Sequence, residues 1–328
     1  MIDRKKYFKF HSSCIPVKGD KRGVIYDLQR GSLYFVPNSI IDLFVDNSKN
    51  TIEYLFLKFP NQEELVNKYL IYLIENELIF LTNDIDKFPN LSLKFERPFL
   101  LDIIFIELDS FSNSKKSLLE EVNTLGFTQV VIVTHQSIVI DTLKEVIDLL
   151  SESKIQIIDL ITKYDSEIVT HILELHNMSP RLRKTIFFDS LNNTNDNYIE
   201  FTSKNLNNIL TKRVKDTNDL IINQDAYFES LKHNLFFNRK VYISDNGDIK
   251  HYFNENEFYG NIKNCTIQSI VNSNDFQNLW NITKEDIEEC KNCEFRYLCP
   301  DNRIPLIINN KYFHETLCKY NPKEAKWD

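Results

Sequence analysis

Between residues 98 and 225, near-continuous apolar runs alternate with helix-patterned stretches, and nothing else constrains the fold of this 328-residue chain as tightly. LLDIIFIEL, TQVVIVTH, IQIIDLIT and KTIFFDS begin near residues 100, 128, 155 and 184, about 28 residues apart. Between them lie SKKSLLEEVNTLG, SIVIDTLKEVIDLLSESK and SEIVTHILELHNM. A strand without polar alternation is buried on both faces, and the intervening helices supply the cover. The segment therefore predicts a parallel sheet, either open or an incomplete β/α barrel, with NYIEFT as a fifth strand.

The flanking segments carry different patterns. Before residue 95, CIPVKG, GVIYDLQ and SLYFVP read as three short strands separated by turns at GDKRG and QRG. NSIIDLFVDN reads as a helix with Asn38 as N-cap. NQEELVNKYLIYLIENEL reads as another, with Leu65, Tyr69, Leu70, Leu73 and Ile74 on one side. IFLTND closes a small winged-helix-like module. Beyond residue 228, YFESLKHNLFFN predicts a helix and KVYISDNGDIKHYF a hairpin turning at Asp245-Asn246-Gly247. A helix around NDFQNLWNI and a cysteine-rich tail follow. The α/β chain is thus expected to divide into residues 1–96, 97–226 and 227–328.

Composition removes several functions. Hydrophobic residues make up 42% and charged residues 26%, enough for substantial cores. A net charge of −8 without a long basic block argues against nucleic acid as the main partner. No run approaches the roughly 18 apolar residues of a membrane span, and MIDRKKYFKFHSSC lacks the apolar core of a signal peptide. A cytoplasmic protein with reduced thiols is expected, without membrane partners. Only six glycines are present, with neither GxGxxG nor GxxxxGK[ST], so the common phosphate-cradling loops are missing.

The tail reads CKNCEFRYLCPDNR, and Cys318 follows in ETLCKYNP. Cys290, Cys293, Cys299 and Cys318 form a four-thiolate pattern suited to zinc or an iron–sulfur cluster. Besides chemistry, such a site can simply clip the tail in place, because metal binding supplies folding free energy.

The residues GDIKHYF, FYGNIKNC and CKNCEFRYLCPDNR with the final cysteine resemble a SPASM domain, the C-terminal module of peptide-modifying radical SAM enzymes. CEFRYLC with the KYNP…W ending is similar to the SPASM protein of grasp-with-spasm peptide-maturation systems. VIYDLQRGSLYFVPNSIIDLF with LIYLIENELIFL resembles, over about 85 residues, the peptide-recognition element of such enzymes. There a leader peptide adds to an exposed sheet edge, with backbone pairing giving affinity and side-chain pockets selectivity. The resemblance implies an edge at Ser32, Leu33, Tyr34, Phe35 and Val36, facing Tyr69, Leu73 and Glu77. It also implies one 4Fe–4S cluster, or alternatively Zn2+, on Cys290, Cys293, Cys299 and Cys318. The implied partners are a ribosomal precursor leader and an ATP-grasp ligase, in maturation of a graspetide-type peptide.

Departures from the family are as informative. Of the first SPASM cluster only Cys265, after Gly260, survives; Tyr252 and Asp301 or Asn302 stand where other ligands would be. No cysteine lies between Cys14 and Cys265, so CxxxCxxC is missing and ELDSFSNSKKS follows the first strand instead. VTHQS stands where the family carries Gly-Gly-Glu. The expectation is therefore a non-catalytic accessory protein without S-adenosylmethionine, the alternative being a redox or peptide-modifying enzyme using the remaining cluster. His135, Glu107, Asp109 and Asp189 sit near strand ends, where catalytic groups are often placed, yet their spacing defines no constellation. His171, His176 and Cys14 read as surface or structural residues.

Overall fold

The computed structural model describes residues 2–109, 113–151, 153–211 and 213–328. Residues 110–112, within ELDSFSNSKKS, lie outside the described residues. The chain forms two compact units, one comprising 1–95, 213–236 and 282–328, the other 96–212 and 237–281. The tail therefore folds with the N-terminal segment, and the 240–250 hairpin folds with the parallel sheet.

In the first unit, β1 (Tyr7–Phe10) pairs antiparallel with β5 (Ile79–Thr82). β2 (Cys14–Lys18), β3 (Gly23–Asp27) and β4 (Ser32–Val36) form an antiparallel sheet in that order. Helices α1 (Asn38–Asp46), α2 (Ile52–Lys58) and α3 (Glu63–Glu75) pack against one face. Thr51 caps α2, accepting the Tyr54 N–H. Asn38, expected as an N-cap, is instead the first helical residue of α1; its side-chain amide donates to Gly19 O at 2.9 Å. On α3 the buried positions are Val66, Leu70 and Leu73, while Leu65 is exposed. At that end Val66, not the expected Leu65, faces the core.

The second unit carries a nine-stranded sheet. Its strands are β6 (Ile103–Glu107), β7 (Gln129–Val133), β8 (Ile157–Lys163), β9 (Leu182–Phe188), β10 (Thr194–Asn195), β11 (Ile199–Phe201), β12 (Lys240–Ile243), β13 (Asp248–Lys250) and β14 (Gly260–Asn261). From β12 through β6, β7, β8 and β9 to β11 every pairing is parallel; the edge strands β10, β13 and β14 are antiparallel. α4 (Asn113–Leu125), α5 (Ile140–Ser151) and α6 (Ser166–Met178) are the crossovers between β6 and β9. α7 (Leu206–Leu210) packs with Val131, Val133, Ile161 and Phe188. The expected mostly parallel sheet is thus present, and the predicted hairpin enters it as β12 and β13. β12 pairs parallel with β6, because its run Val241, Tyr242 and Ile243 is buried like the other strands.

The remaining elements are short: α8 (Gln224–Ser230), α9 (Ile267–Val271), α10 (Asn274–Asn278) and the hairpins β15 (Pro305–Ile308)/β16 (Lys311–His314) and β17 (Tyr320–Asn321)/β18 (Lys326–Trp327). No described helix is long and apolar enough to cross a membrane.

Gly126 ends α4 with φ +77°, the left-handed C-terminal position that favours glycine. A Cβ there would lie 2.4 Å from Phe99 Cδ1. Gly126→Ala is expected to destabilise the chain by about 1 kcal/mol or more, seen as a lowered urea midpoint.

Candidate metal centre and peptide-binding edge

The cysteine loop is built on close turns: Cys290 N–H donates to Ile287 O at 2.9 Å, and Cys293 N–H to Cys290 O at 2.8 Å. Two sulfurs also accept backbone hydrogen bonds, Cys293 Sγ from Phe295 N–H and Cys318 Sγ from Tyr320 N–H, each at 3.4 Å. Such donors favour the thiolate form and tune metal-bound sulfur. All six cysteines are free of disulfides. Cys290 lies within electrostatic range of Cys293, Cys299 and Cys318. Burial pushes its thiol up to about 11, that of Cys299 to about 12 and that of Cys293 well above its ordinary range. Ligation must therefore displace protons from half-buried thiols.

Among the described residues no three Cys, His, Asp or Glu side chains are arranged to hold a metal ion as placed. Thiols are donors that zinc and iron–sulfur cores accept, but as placed these four cysteines form no closed coordination shell. Cys265 stands apart in the other unit, its thiol donating to Asn261 O at 3.2 Å.

What holds this loop without metal is the β2–β3 turn, GDKRG in the sequence. Asp20 N–H donates to Asn292 O at 2.8 Å, Lys21 N–H to Pro322 O at 3.3 Å, and the Arg296 guanidinium to Lys18 O at 2.8 Å. Glu294, its side chain fully buried, receives Arg22 Nε at 2.9 Å and the Tyr320 hydroxyl on the same carboxylate oxygen. The Tyr26 hydroxyl donates to Glu294 O. Phe295 fills the centre, with the rings of Tyr320, Phe35 and Trp327 at 4.9, 5.9 and 5.9 Å. Neither Glu294 nor Arg22 is apparent from the cysteine spacing. The only cue is an acidic residue set between Cys293 and an aromatic residue.

Among the described residues, β4 is an end strand of its sheet, pairing only with β3. Ser32, Leu33 and Tyr34 are half-buried, Phe35 is 40% exposed and Val36 is buried. Leu33 and Phe35 turn toward the tail, while Tyr34 and Val36 turn toward the helices. Arg22 lies over the Phe35 ring at 3.9 Å. Of the expected facing residues, Tyr69 is half-buried and Glu77 exposed, but Leu73 has no exposure at all. Leu73 and Val36 are core residues, because the helix presents Leu73 and the strand presents Val36 to the same apolar cluster. Glu77 pairs with Arg30 at 3.0 Å, and Arg30 also caps the Asn76 and Glu77 carbonyls. The same Arg30 binds Asp27, whose carboxylate accepts the N–H groups of Gln29 and Arg30 at 3.1 and 2.9 Å. Burial alone would raise the Asp27 carboxyl; the Arg30 hydrogen bonds hold it below its usual value.

At the carboxyl ends of the parallel strands, Glu107, Asp109 and His135 do come together. His135 Nε2 is 3.3 Å from Glu107 Oε1 and 3.9 Å from Asp109 Oδ2. Glu107 also accepts the Tyr242 hydroxyl and Asp245 N–H, both at 2.6 Å. Asp109 accepts the N–H groups of His135 and Gln136. These bonds occupy both carboxylates in stapling strand ends and the β12–β13 turn. Asp189 bonds elsewhere, donating its N–H to Lys204 O at 3.1 Å. His176 bridges Leu182 O and Thr185 Oγ1, His171 is exposed beside Glu174, and Cys14 is buried in an apolar core.

No protein-family model and no curated protein matches the sequence. Among solved structures, the chain is similar to Streptococcus suis SuiB bound to S-adenosylmethionine, with 11% identity, a TM-score of 0.32, and coverage of 89% of this chain and 94% of that one. It is likewise similar to SuiB bound to precursor peptide SuiA, with 10% identity, a TM-score of 0.33, and coverage of 89% and 94%. Scores of this size do not establish a shared fold.

Glu294→Ala leaves Arg22 and the tyrosine hydroxyl without their acceptor, and is expected to cost about 3 kcal/mol in unfolding free energy by urea titration. Asp27 contributes stability above its unfolded value of about pH 4, lost as pH falls through the lower folded value. The urea midpoint of the wild type should therefore fall more steeply below about pH 4 than that of Asp27→Asn.

Proposed function

We propose that this chain is a non-catalytic accessory protein in the maturation of a ribosomally made, graspetide-type peptide. In this reading the β4 edge takes the precursor leader as an added strand, and a partner ATP-grasp ligase acts on the core peptide. The observation that carries the reading is the free edge of β4. The opposite edge, β2, has Pro16 in mid-strand, which lacks the N–H a further strand would need. β4 has no proline, and its Phe35 is exposed beside the paired edge, ready to meet an incoming side chain. Ser32, Leu33, Tyr34 and Phe35 would make the contacts, with Tyr69 and Glu77 at the periphery.

Cys290, Cys293, Cys299 and Cys318 would hold one 4Fe–4S cluster or a zinc ion. When bound, that group supplies cross-linking of the tail and, if iron–sulfur, one-electron chemistry. The chain's own residues do the rest: the β2–β3 turn docks the loop, and backbone N–H groups solvate two of the sulfurs. The absence of CxxxCxxC from the sequence argues against S-adenosylmethionine cleavage. A second reading, a redox role for the cluster, is favoured by one observation. A cavity of about 200 Å3, lined by Arg213, Asp301, Arg303 and Cys318, opens beside one of the thiols.

Titration of the full-length chain with the cognate precursor, intact and leader-deleted, tests the proposal. Tight binding of the intact precursor is expected, with at least about a tenfold loss on leader deletion or on Phe35→Asp, since buried edge contacts carry most of the affinity. Equal affinity for both peptides, or none for either, would overturn it.

A further inference from the structure

The hairpin β15/β16 carries a second strand edge. Asn309 and Asn310, with φ of +52° and +61°, form its two-residue turn. Such a turn makes Ile308 and Lys311 a hydrogen-bonded pair. The alternation of an antiparallel ladder then points Ile307 N–H and C=O outward, away from β16. Tyr312, the cross-strand partner of Ile307, obeys the same alternation: its carbonyl points outward on the other side and accepts Glu288 N–H at 3.0 Å. Pro305 is the next outward position on β15, so its missing N–H costs the hairpin no bond. Among the described residues β15 pairs only with β16. Its side chains are exposed too, Ile307 at 64%, with Leu306 and Ile308 on the opposite face. An apolar, uncharged and unpaired edge is a template for another strand.

At the start of β15 lies the cavity of about 200 Å3. Arg303, two residues before Pro305, lines it together with Arg213, Lys319 and the 91%-exposed Leu317. Asp301 is the acid of that lining, and Arg303 binds it. Arg213 donates instead to the neutral Thr316 Oγ1 at 2.7 Å, and Lys319 is exposed. Both cations reach water, so neither needs a fixed counter-ion, and both present positive charge to whatever enters. A strand that pairs antiparallel with β15 runs its carboxyl end toward this cavity. At about 3.3 Å per residue, the four positions from Ile307 back to Arg303 span about 13 Å. A carboxylate three to five residues beyond the pair at Ile307 therefore comes level with the cations. We propose that β15 and the cavity at its base bind the carboxyl end of an extended apolar peptide that carries a carboxylate there. Ile307 N–H and C=O pair with its backbone, and Arg213 and Lys319 take its charge. A second copy of this chain is the poorer occupant. Two β15 edges set antiparallel would bring the uncharged Asn309–Asn310 turn, not an acid, to the cavity. Neither the β4 edge nor a bound metal enters this assignment.

The probe is a fluorescein-labelled heptapeptide of alternating valine and threonine with aspartate at its carboxyl end, titrated by anisotropy against the full-length chain. Its twins carry a terminal amide, asparagine in place of the aspartate, or both. Saturable binding of the acidic peptide is expected, with about a three- to fivefold loss for the doubly neutral twin. The single neutralisation that reproduces this loss shows whether the terminal or the side-chain carboxylate is read. The double variant Arg213→Gln, Lys319→Gln should bind the acidic peptide no better than the neutral one. Ile307→Pro removes an outward N–H without breaking a bond of the hairpin. It should weaken binding about three- to tenfold more than Ile307→Ala, with both urea midpoints close to that of wild type. Phe35→Asp, on the β4 edge, should leave this peptide's affinity unchanged. Absence of saturable binding, equal affinity for the acidic and doubly neutral peptides, Ile307→Pro binding as Ile307→Ala does, or a loss on Phe35→Asp overturns the inference. So does a wild-type dimer in light scattering that Ile307→Pro converts to monomer, since a second copy then occupies the edge. The leader titration reads β4 separately, so either proposal can fail alone.

Discussion

Strand β3 has water on neither face. Every one of its residues from Gly23 to Asp27 is buried, with the three helices on one side and the cysteine tail on the other. A three-stranded antiparallel sheet ordinarily keeps one face solvated. Here the second face is closed by residues almost 270 positions away, with Tyr26 reaching Glu294 O. The buried Glu294 carboxylate completes the join, because a charge without solvent must find its partners, and it finds them in Arg22 and Tyr320. The tail is therefore the other half of the N-terminal core. Anything that displaces the cysteine loop must also move Phe295 against Phe35 on the edge strand.

That arrangement places the two proposed activities of the first unit in mechanical contact. Phe35 touches Phe295, and Arg22 lies over Phe35 while holding Glu294. The residue after Cys293 is thus tied to the strand whose free edge is the candidate peptide site.

The strand–helix alternation of the second unit is legible in the sequence. The apolar runs at 103–107, 129–133, 157–163 and 182–188 are strands, and the patterned stretches between them are helices, because burial on both faces leaves an unbroken hydrophobic signature. The pairing of β12 beside β6 was not legible, since KVYISDNGDIKHYF announces only its local turn. Tyr7–Phe10 is not legible as a strand, because four residues give too short a period to register and its partner, Ile79–Thr82, lies far along the chain. On the candidate peptide edge, the strand itself is legible in SLYFVP, whereas the facing residues came only from the resemblance, and of those implied residues Leu73 and Val36 lie buried in the core. Glu107, Asp109 and His135 could be named singly from their strand ends, but the hydrogen bonds that gather and occupy them depend on neighbouring strands.

By itself the sequence determined the local chemistry: which apolar runs of the second unit form strands, which thiols share one loop, and that no phosphate-cradling loop or radical SAM cysteine triplet is present. Those are properties of neighbouring residues, and periodicity and spacing record them directly. Only the tertiary structure decided that the tail packs on β3, that Glu294 is clasped by Arg22 and Tyr320, and that Lys284 and Arg303 share the single carboxylate of Asp301. Each of these joins residues far apart in the chain. Their partners are selected by burial, which leaves a charge no solvent and so compels it to find whatever the fold brings within reach.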